Sequence, residues 1–456
     1  MEKILNKGGI QMKAIKRILI FIVTVTLLLN TACSSNEQSD SKNNTTQKKL
    51  SIWYLDSDKR TKYNIQKFRD IYPDIEISET VYNLEIFQDM LTKLSTELMV
   101  GEGPDIILFH KLYFGSLNRA LESGVFTDLN ALIKKDKEFN ENEYYQKIFD
   151  VGNYNGKRLY IPLNYTIPYF TTTEATLKKY NINIEKSGIT LEGLSELAKS
   201  FTQSNEKSKN LIACNFHFTD MMYISKLEFI DKKNKKSNFN TKEFIKLLEQ
   251  YKNIYPSIAT YEDQSKYQYY ADMTAADKLV FGYDTIISPP MKLRYFNSTY
   301  ISAVGDKMEI IPIVNKGVYS AEPMEFVGIN ENCNNKEAAF EIIKFMLSKD
   351  RQKEKDSNSV GNLNTYMPVN KLAFKEDMQA ALENSDTGFT FPIVQLPESI
   401  ADKMNMMIEN SQPVQLIDTN IIRIVNKELG NYINGKASAE QTAKAIDEKV
   451  TILLNE

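Results

Sequence analysis

Between Leu50 and Phe109 the hydrophobic pattern changes period four times, and that alternation restricts the fold more than any other feature of the chain. Leu50-Ser51-Ile52-Trp53-Tyr54 reads as a strand. Tyr63, Phe68, Ile71 and Tyr72 then form a helical stripe that stops at Tyr72-Pro73-Asp74. Ile75-Glu76-Ile77 alternates as a second strand. Phe87, Met90, Leu91, Leu94 and Leu98 recur at helical spacing as far as Gly101, a helix terminator. Ile106-Ile107-Leu108-Phe109 is an unbroken apolar run, as expected of a strand covered on both faces. Strand, helix, strand, helix, strand predicts a parallel sheet with right-handed crossovers, so the fold class is α/β.

Similar signals recur downstream. Leu159–Leu163 and Pro168–Thr171 read as short extended pieces, and Leu279–Tyr283 and Ile310–Ile313 as strands. Thr190 is positioned to cap a helix carrying Leu191, Leu194, Leu197 and Ala198, and Asn335 one carrying Ala338, Ala339, Ile342, Ile343 and Phe345. Phe244, Leu247, Leu248 and Tyr251 mark another helix, and Ala401–Glu456 reads as mostly helical. The basic run Lys232–Lys236 reads as a solvated loop. A chain of 456 residues, 42% hydrophobic, exceeds one ordinary core, so two domains are expected.

Ahead of the first strand, Lys13, Lys16 and Arg17 precede the apolar run Ile18–Leu29 and then Asn30-Thr31-Ala32-Cys33, the layout of a secretory leader that would conventionally begin at Met12. The apolar run is too short to span a bilayer as a mature helix. Cys33, followed by Ser34-Ser35, resembles the lipobox of bacterial lipoproteins, with Asn30 where leucine is usual. The resemblance implies cleavage after residue 32 and a lipid anchor on Cys33, tying the protein to the outer face of the cytoplasmic membrane. Ser34–Lys49 has no apolar side chain and is expected to be a flexible tether, reaching roughly 20–25 Å as a random coil.

At Gly101-Glu102-Gly103-Pro104-Asp105 the chain resembles the family 1 extracellular solute-binding proteins of ABC importers. Further landmarks follow in family order: Phe68-x3-Tyr72-Pro73-x-Ile75, Asn155-Gly156-Lys157-x2-Tyr160-x-Pro162-Leu163, Thr190-Leu191-Glu192 with Glu196-Leu197, Glu337-Ala338-Ala339 with Lys344-Phe345, and Met367-Pro368-Val369-Asn370. The resemblance spans nearly all of residues 48–456. It implies a type II periplasmic-binding-protein-like fold: two lobes, each a central sheet flanked by helices, joined near 167–171, 321–326 and 366–369. Residues 50–167 with 325–364 would form one lobe, and 168–324 with 365–456 the other. It also implies a monomer that closes on a small solute, a sugar being favoured, and delivers it to ABC permease subunits.

In open α/β sheets ligands sit beyond the carboxyl ends of the strands. That rule selects Trp53, Asp56 and Asp58 after the first strand, and His110, Lys111 and Tyr113 after the Pro-Asp strand. The opposite lobe offers Asn164, Tyr165, Tyr169, His217, Phe218, Tyr283 and Asp284, and the last crossing Tyr366. Sugars need flat apolar faces and a few polar groups for their hydroxyls. With 25 Tyr, 23 Phe and one Trp, and with Lys111 rather than an acid after Phe109, an anionic ligand stays open as an alternative. Core packing is an equal reading of Trp53, and water-facing core caps of Tyr165 and Tyr283.

Other classes fit less well. A net charge of −3 argues against nucleic acid as a partner. Two histidines cannot build a histidine-based metal centre, and Cys214 and Cys333 read as buried thiols without metal spacing; no cofactor is expected. Paired carboxylates could hydrolyse glycosides. However, the chain has no Gly-x-Ser-x-Gly elbow, His-Glu-x-x-His pair or phosphate-cradling loop, so binding is favoured over catalysis. A surface sensor or peptide receptor on the same fold remains a rival.

Overall fold

The computed structural model describes residues 48–111, 117–204, 209–231, 234–283, 289–353, 366–383 and 392–455. The leader, Cys33, most of the expected tether, Tyr113 and Asp284 lie outside the described residues. Strand β1 (Lys48–Leu55) takes in Lys48 and Lys49, so the tether expected to run through Lys49 is two residues too long.

β1 pairs in parallel with β2 (Ile75–Tyr82) along its whole length, from Lys48 opposite Ile75 to Leu55 opposite Tyr82. β3 (Ile106–His110) flanks β1 on the other side, also in parallel. Helices α1 (Lys59–Ile71) and α2 (Phe87–Met99) make the crossovers. Beyond β3 the sheet turns antiparallel: Glu325–Ile329 returns from far along the chain to pair with β3, and Ile161–Pro162 pairs with it in turn. The sheet is therefore mixed.

α1 buries Thr61, Asn64, Ile65 and Phe68, the i, i+3, i+4, i+7 face of a helix. Tyr72 extends that face by stacking on Phe68 at 4.5 Å, whereas Ile71, expected in the stripe, is 62% exposed. Past α2 the chain reverses through Gly101 (φ +83°) and Gly103 (φ +92°), backbone conformations that L residues rarely adopt. Asp105 then ties the reversal to β1. Its carboxylate accepts from the amide and hydroxyl of Ser51 at 2.8 and 2.7 Å, and its own amide donates to the Ser51 hydroxyl at 3.0 Å.

A second sheet is ordered Met308–Pro312, Tyr169–Thr173, Leu279–Tyr283, Asn210–Ile212. Its core, with Leu194, Leu211, Phe216, Phe244, Phe281 and Ile446, is distinct from the cluster around Leu50, Ile52, Phe68, Ile343 and Leu347 under the first sheet. The two lobes thus each carry a sheet and its flanking helices. Between them, a small third sheet places three chain passages side by side: Asn164–Thr166, Val318–Pro323 and Met367–Pro368. The first passage lies just ahead of the expected 167–171, because residues from Tyr169 on already belong to the second sheet.

Thr190 caps its helix as expected, its hydroxyl accepting from the Gly193 amide at 3.0 Å. Asn335 occupies a cap position without a capping bond; its amide instead donates to the Lys49 carbonyl. The expected loop around Lys232–Lys236 includes a hairpin, Ile230–Asp231 pairing with Lys236–Ser237. Cys333 is buried and Cys214 half-buried, both as free thiols. No helix among the described residues is long and apolar enough to cross a membrane.

The Asp105–Ser51 exchange stands beside the one β1–β3 register pair, Ile52 opposite Ile106. Asp105→Ala leaves the Ser51 amide and hydroxyl unpaired and should cost roughly 1–3 kcal/mol, read as a lower denaturant midpoint at unchanged slope.

Candidate functional site

The carboxyl ends of β1 and β3, the start of α1, the inner side of α2 and the start of Glu325–Ile329 surround a cleft of about 460 Å³. Trp53, Asp58 and His110, three of the residues expected from strand order, line it. Asp58 is the N-cap of α1 and accepts from the Thr61 amide at 2.9 Å. Burial, and then the nearby Glu325 carboxylate, raise its pKa above the ordinary aspartate range. The Trp53 ring stands 5.6 Å from that of Tyr82, with the Lys93 ammonium 5.1 Å from its centroid.

His110 ends β3, directly opposite Glu325 in the sheet. Burial, with the Lys111 ammonium next to it, lowers its pKa to about 4, so the imidazole is neutral at physiological pH. Its Nε2 lies 3.3 Å from the Tyr366 hydroxyl, which brings the last crossing to the edge of the cleft.

Strand-end reasoning missed Arg60 and Glu325. Arg60, in the first turn of α1, forms an ion pair with Glu325 inside the cleft lining. Asn164 sits behind Glu325: its side-chain amide donates to the carboxylate and its carbonyl oxygen accepts from the Glu325 amide at 3.2 Å. Asn164 thus orients a lining residue and does not itself line the cleft. Arg60 lies only two residues beyond Asp58, and Glu325 falls within the expected crossing 321–326, so both had a signal in the sequence.

Other expected residues sit elsewhere. Asp56 is exposed beside Lys59 and is not part of the lining. Tyr165, Tyr169, Phe218 and Tyr283 are core side chains: Phe218 packs against Phe244 and Tyr251, and Tyr283 meets Phe216 edge-on at 4.9 Å. His217 is exposed at the N-terminus of the helix Phe218–Ser225. Lys111 is buried and paired with Glu322, a fully buried carboxylate on the middle passage, with the Tyr223 ring 4.7 Å away. Its charge is committed inside the protein, which removes the main reason for expecting an anionic ligand. The Asp220 carboxylate, which accepts from the His217 amide at 2.6 Å, is raised to about 7 by burial and then by Glu322.

Among the described residues no cluster of three or more His, Cys, Asp or Glu is arranged to hold a metal ion. The arrangement can bind a small polar molecule through Asp58, Arg60, Glu325 and His110 while covering an apolar face with Trp53 and α2.

The family model described as bacterial extracellular solute-binding protein matches residues 65–383. No curated protein matches the chain in sequence. Among solved structures, the sugar-binding protein MalE of Xanthomonas citri superposes with a TM-score of 0.67 at 13% identity, over 89% of this chain and 97% of that one. An ABC substrate-binding protein of Listeria monocytogenes in complex with cycloalternan gives 0.64 at 16% identity, over 90% and 99%. The cyclic α-maltosyl-1,6-maltose-binding protein of Arthrobacter globiformis gives 0.58 at 13%, over 89% and 98%.

The depressed pKa of His110 fixes the sign of one pH effect. The folded state holds the proton less tightly than an unfolded chain with a pKa near 6.5, so the neutral imidazole's contribution is complete above 6.5 and is lost as pH falls toward 4. His110→Gln should therefore be less acid-sensitive than wild type. Thermal melts from pH 7 to pH 4 should show the variant gaining on wild type steadily below pH 6.5; parallel curves would contradict this.

Proposed function

Because the chain belongs to the bacterial extracellular solute-binding proteins, an exported family, we propose that it captures a sugar or oligosaccharide in the cleft beyond β1 and β3 and hands it to an ABC import permease. The observation that carries this reading is the composition of the lining: one indole face at Trp53 beside the hydrogen-bonding groups of Asp58, Arg60, Glu325 and His110. Rings with apolar C–H faces and hydroxyl edges match that pairing. The engagement of Lys111 by Glu322 favours a neutral solute over an anion. The likeness of the fold to a sugar-binding protein, a cycloalternan complex and a cyclic α-maltosyl-1,6-maltose-binding protein supports the same class.

Capture is by closure of residues 50–167 with 325–364 onto 168–324 with 365–456, bending at the three passages of the small sheet. No covalent step is involved. Cleavage of the leader leaves Cys33 to carry the lipid anchor, and residues 34–47 serve as the spacer to the body, which works as a monomer at the outer face of the membrane.

A ligand that binds only the folded state stabilises it by mass action, about 2.7 kcal/mol at a hundredfold excess over Kd. A thermal-shift screen across sugars, peptides and small anions should give its clear rise with a carbohydrate. Asp58→Asn keeps a side chain able to cap α1 and should shrink that rise at a fixed ligand concentration. Shifts with peptides or anions alone would reject the assignment.

A further inference from the structure

One wall of the cleft is apolar throughout. α2 lines the cavity with Phe87, Met90, Leu91 and Leu94, the i, i+3, i+4, i+7 positions of one helical face. None of these side chains offers a hydrogen bond, so hydroxyls pressed against them would lose water without compensation. The charged groups come from other elements, Asp58 and Arg60 from the start of α1 and Glu325 from the returning strand. The apolar character also continues onto the surface. Val81, Leu84 and Ile86, immediately ahead of α2 in the chain, are 48%, 66% and 45% exposed.

We propose that the solute is a glycoside with an apolar aglycone, an alkyl or aryl group of several carbons, its sugar held at Asp58, Arg60 and Glu325 and its aglycone laid along α2. This rests on the carbohydrate reading above and specifies what the sugar carries. Burial of each added methylene against the wall should tighten binding about fourfold until the wall is filled.

The test uses the full chain and the fluorescence of Trp53, its one tryptophan, which lines the cleft. Methyl, butyl, hexyl and phenyl glycosides of glucose and galactose, in both anomers and below micelle-forming concentrations, are titrated beside the free sugars and hexanol. A stepwise gain from methyl to hexyl, flattened by Leu91→Gln, is the expected result. Equal affinities for methyl and hexyl glycosides would overturn the aglycone proposal and leave the carbohydrate reading standing. An undiminished gain in Leu91→Gln would overturn the placement along α2. Hexanol binding as tightly as the hexyl glycoside, or no glycoside binding at all, would overturn the carbohydrate reading and this inference with it.

Discussion

One stretch of chain, Val318–Ile329, carries both the joint between the lobes and the acidic groups that organise the cleft. It runs through the small third sheet with Glu322 opposite Thr166, passes Pro323 and Met324, and enters the first sheet with Glu325 opposite His110. The two carboxylates are three residues apart, and each pairs with a cation from the first lobe: Glu322 with Lys111 at the end of β3, and Glu325 with Arg60 at the start of α1. A buried ion pair adds little net stability when intact, but losing one partner leaves an uncompensated charge and costs about 3–5 kcal/mol. The pairs therefore act less as glue than as a register. They fix the end of β3 and the start of α1 relative to the returning strand, and so hold the cleft lining in place.

That dependence explains which parts of the molecule were legible in the sequence. The succession β1, α1, β2, α2, β3 is local, and its periodicity, its glycine reversal and Asp105 all lie within sixty residues. The antiparallel insertion of Glu325–Ile329 beside β3 is not local, and nothing in its own five residues says where it will pair. Trp53, Asp58 and His110 were found because strand ends point to ligands whatever the rest of the chain does. Arg60 lay near an expected residue and Glu325 within an expected crossing, but the ion pair that seats them in the cleft joins positions 265 residues apart and has no local signal. Tyr165, Tyr169 and Tyr283 were misplaced for a different reason. A tyrosine at a strand end reads alike whether its ring faces a cleft or a core, and the tertiary fold here turns all three inward.

The same ambiguity, in reverse, applies to α2. Its stripe of Phe87, Met90, Leu91 and Leu94 has the spacing of a core-facing helix, and periodicity reports only that one face is apolar, never what lies against it. Met90 and Leu94 are buried, Leu94 within a core cluster beside Leu98 and Ile107, yet all four also border the cleft. Beside them stand a neutral imidazole at His110 and an aspartate whose pKa is raised by its surroundings. Burial is the larger cause of both shifts, with the Glu325 carboxylate adding to it at Asp58 and the Lys111 ammonium at His110, so these two groups are partly withdrawn from water. A hydrogen bond made there meets less competition from water than one made on an open surface.

The third sheet has the construction expected of a joint that must bend without breaking. Asn164–Thr166 is joined to each neighbouring passage by two residue pairs: Thr166 and Tyr165 face Glu322 and Pro323, and Tyr165 and Asn164 face Met367 and Pro368. Prolines on both flanking strands have no amide to donate, which thins the ladder where a continuous one would resist twisting. The first core runs on through this sheet, taking in Tyr165, Tyr319, Ala321 and Met367, and the ladders of both larger sheets also carry a proline, Pro162 and Pro312. Against this, Glu322 cannot tolerate separation from Lys111, because it is fully buried on a strand of that same thin sheet. A charge pair placed at a bend moves least when the lobes move most. Lys111 and Glu322 sit at the joint about which closure is proposed, and Arg60 and Glu325, the latter three residues further along the returning chain, sit in the cleft, so both ion pairs stay closed when the lobes bend as proposed.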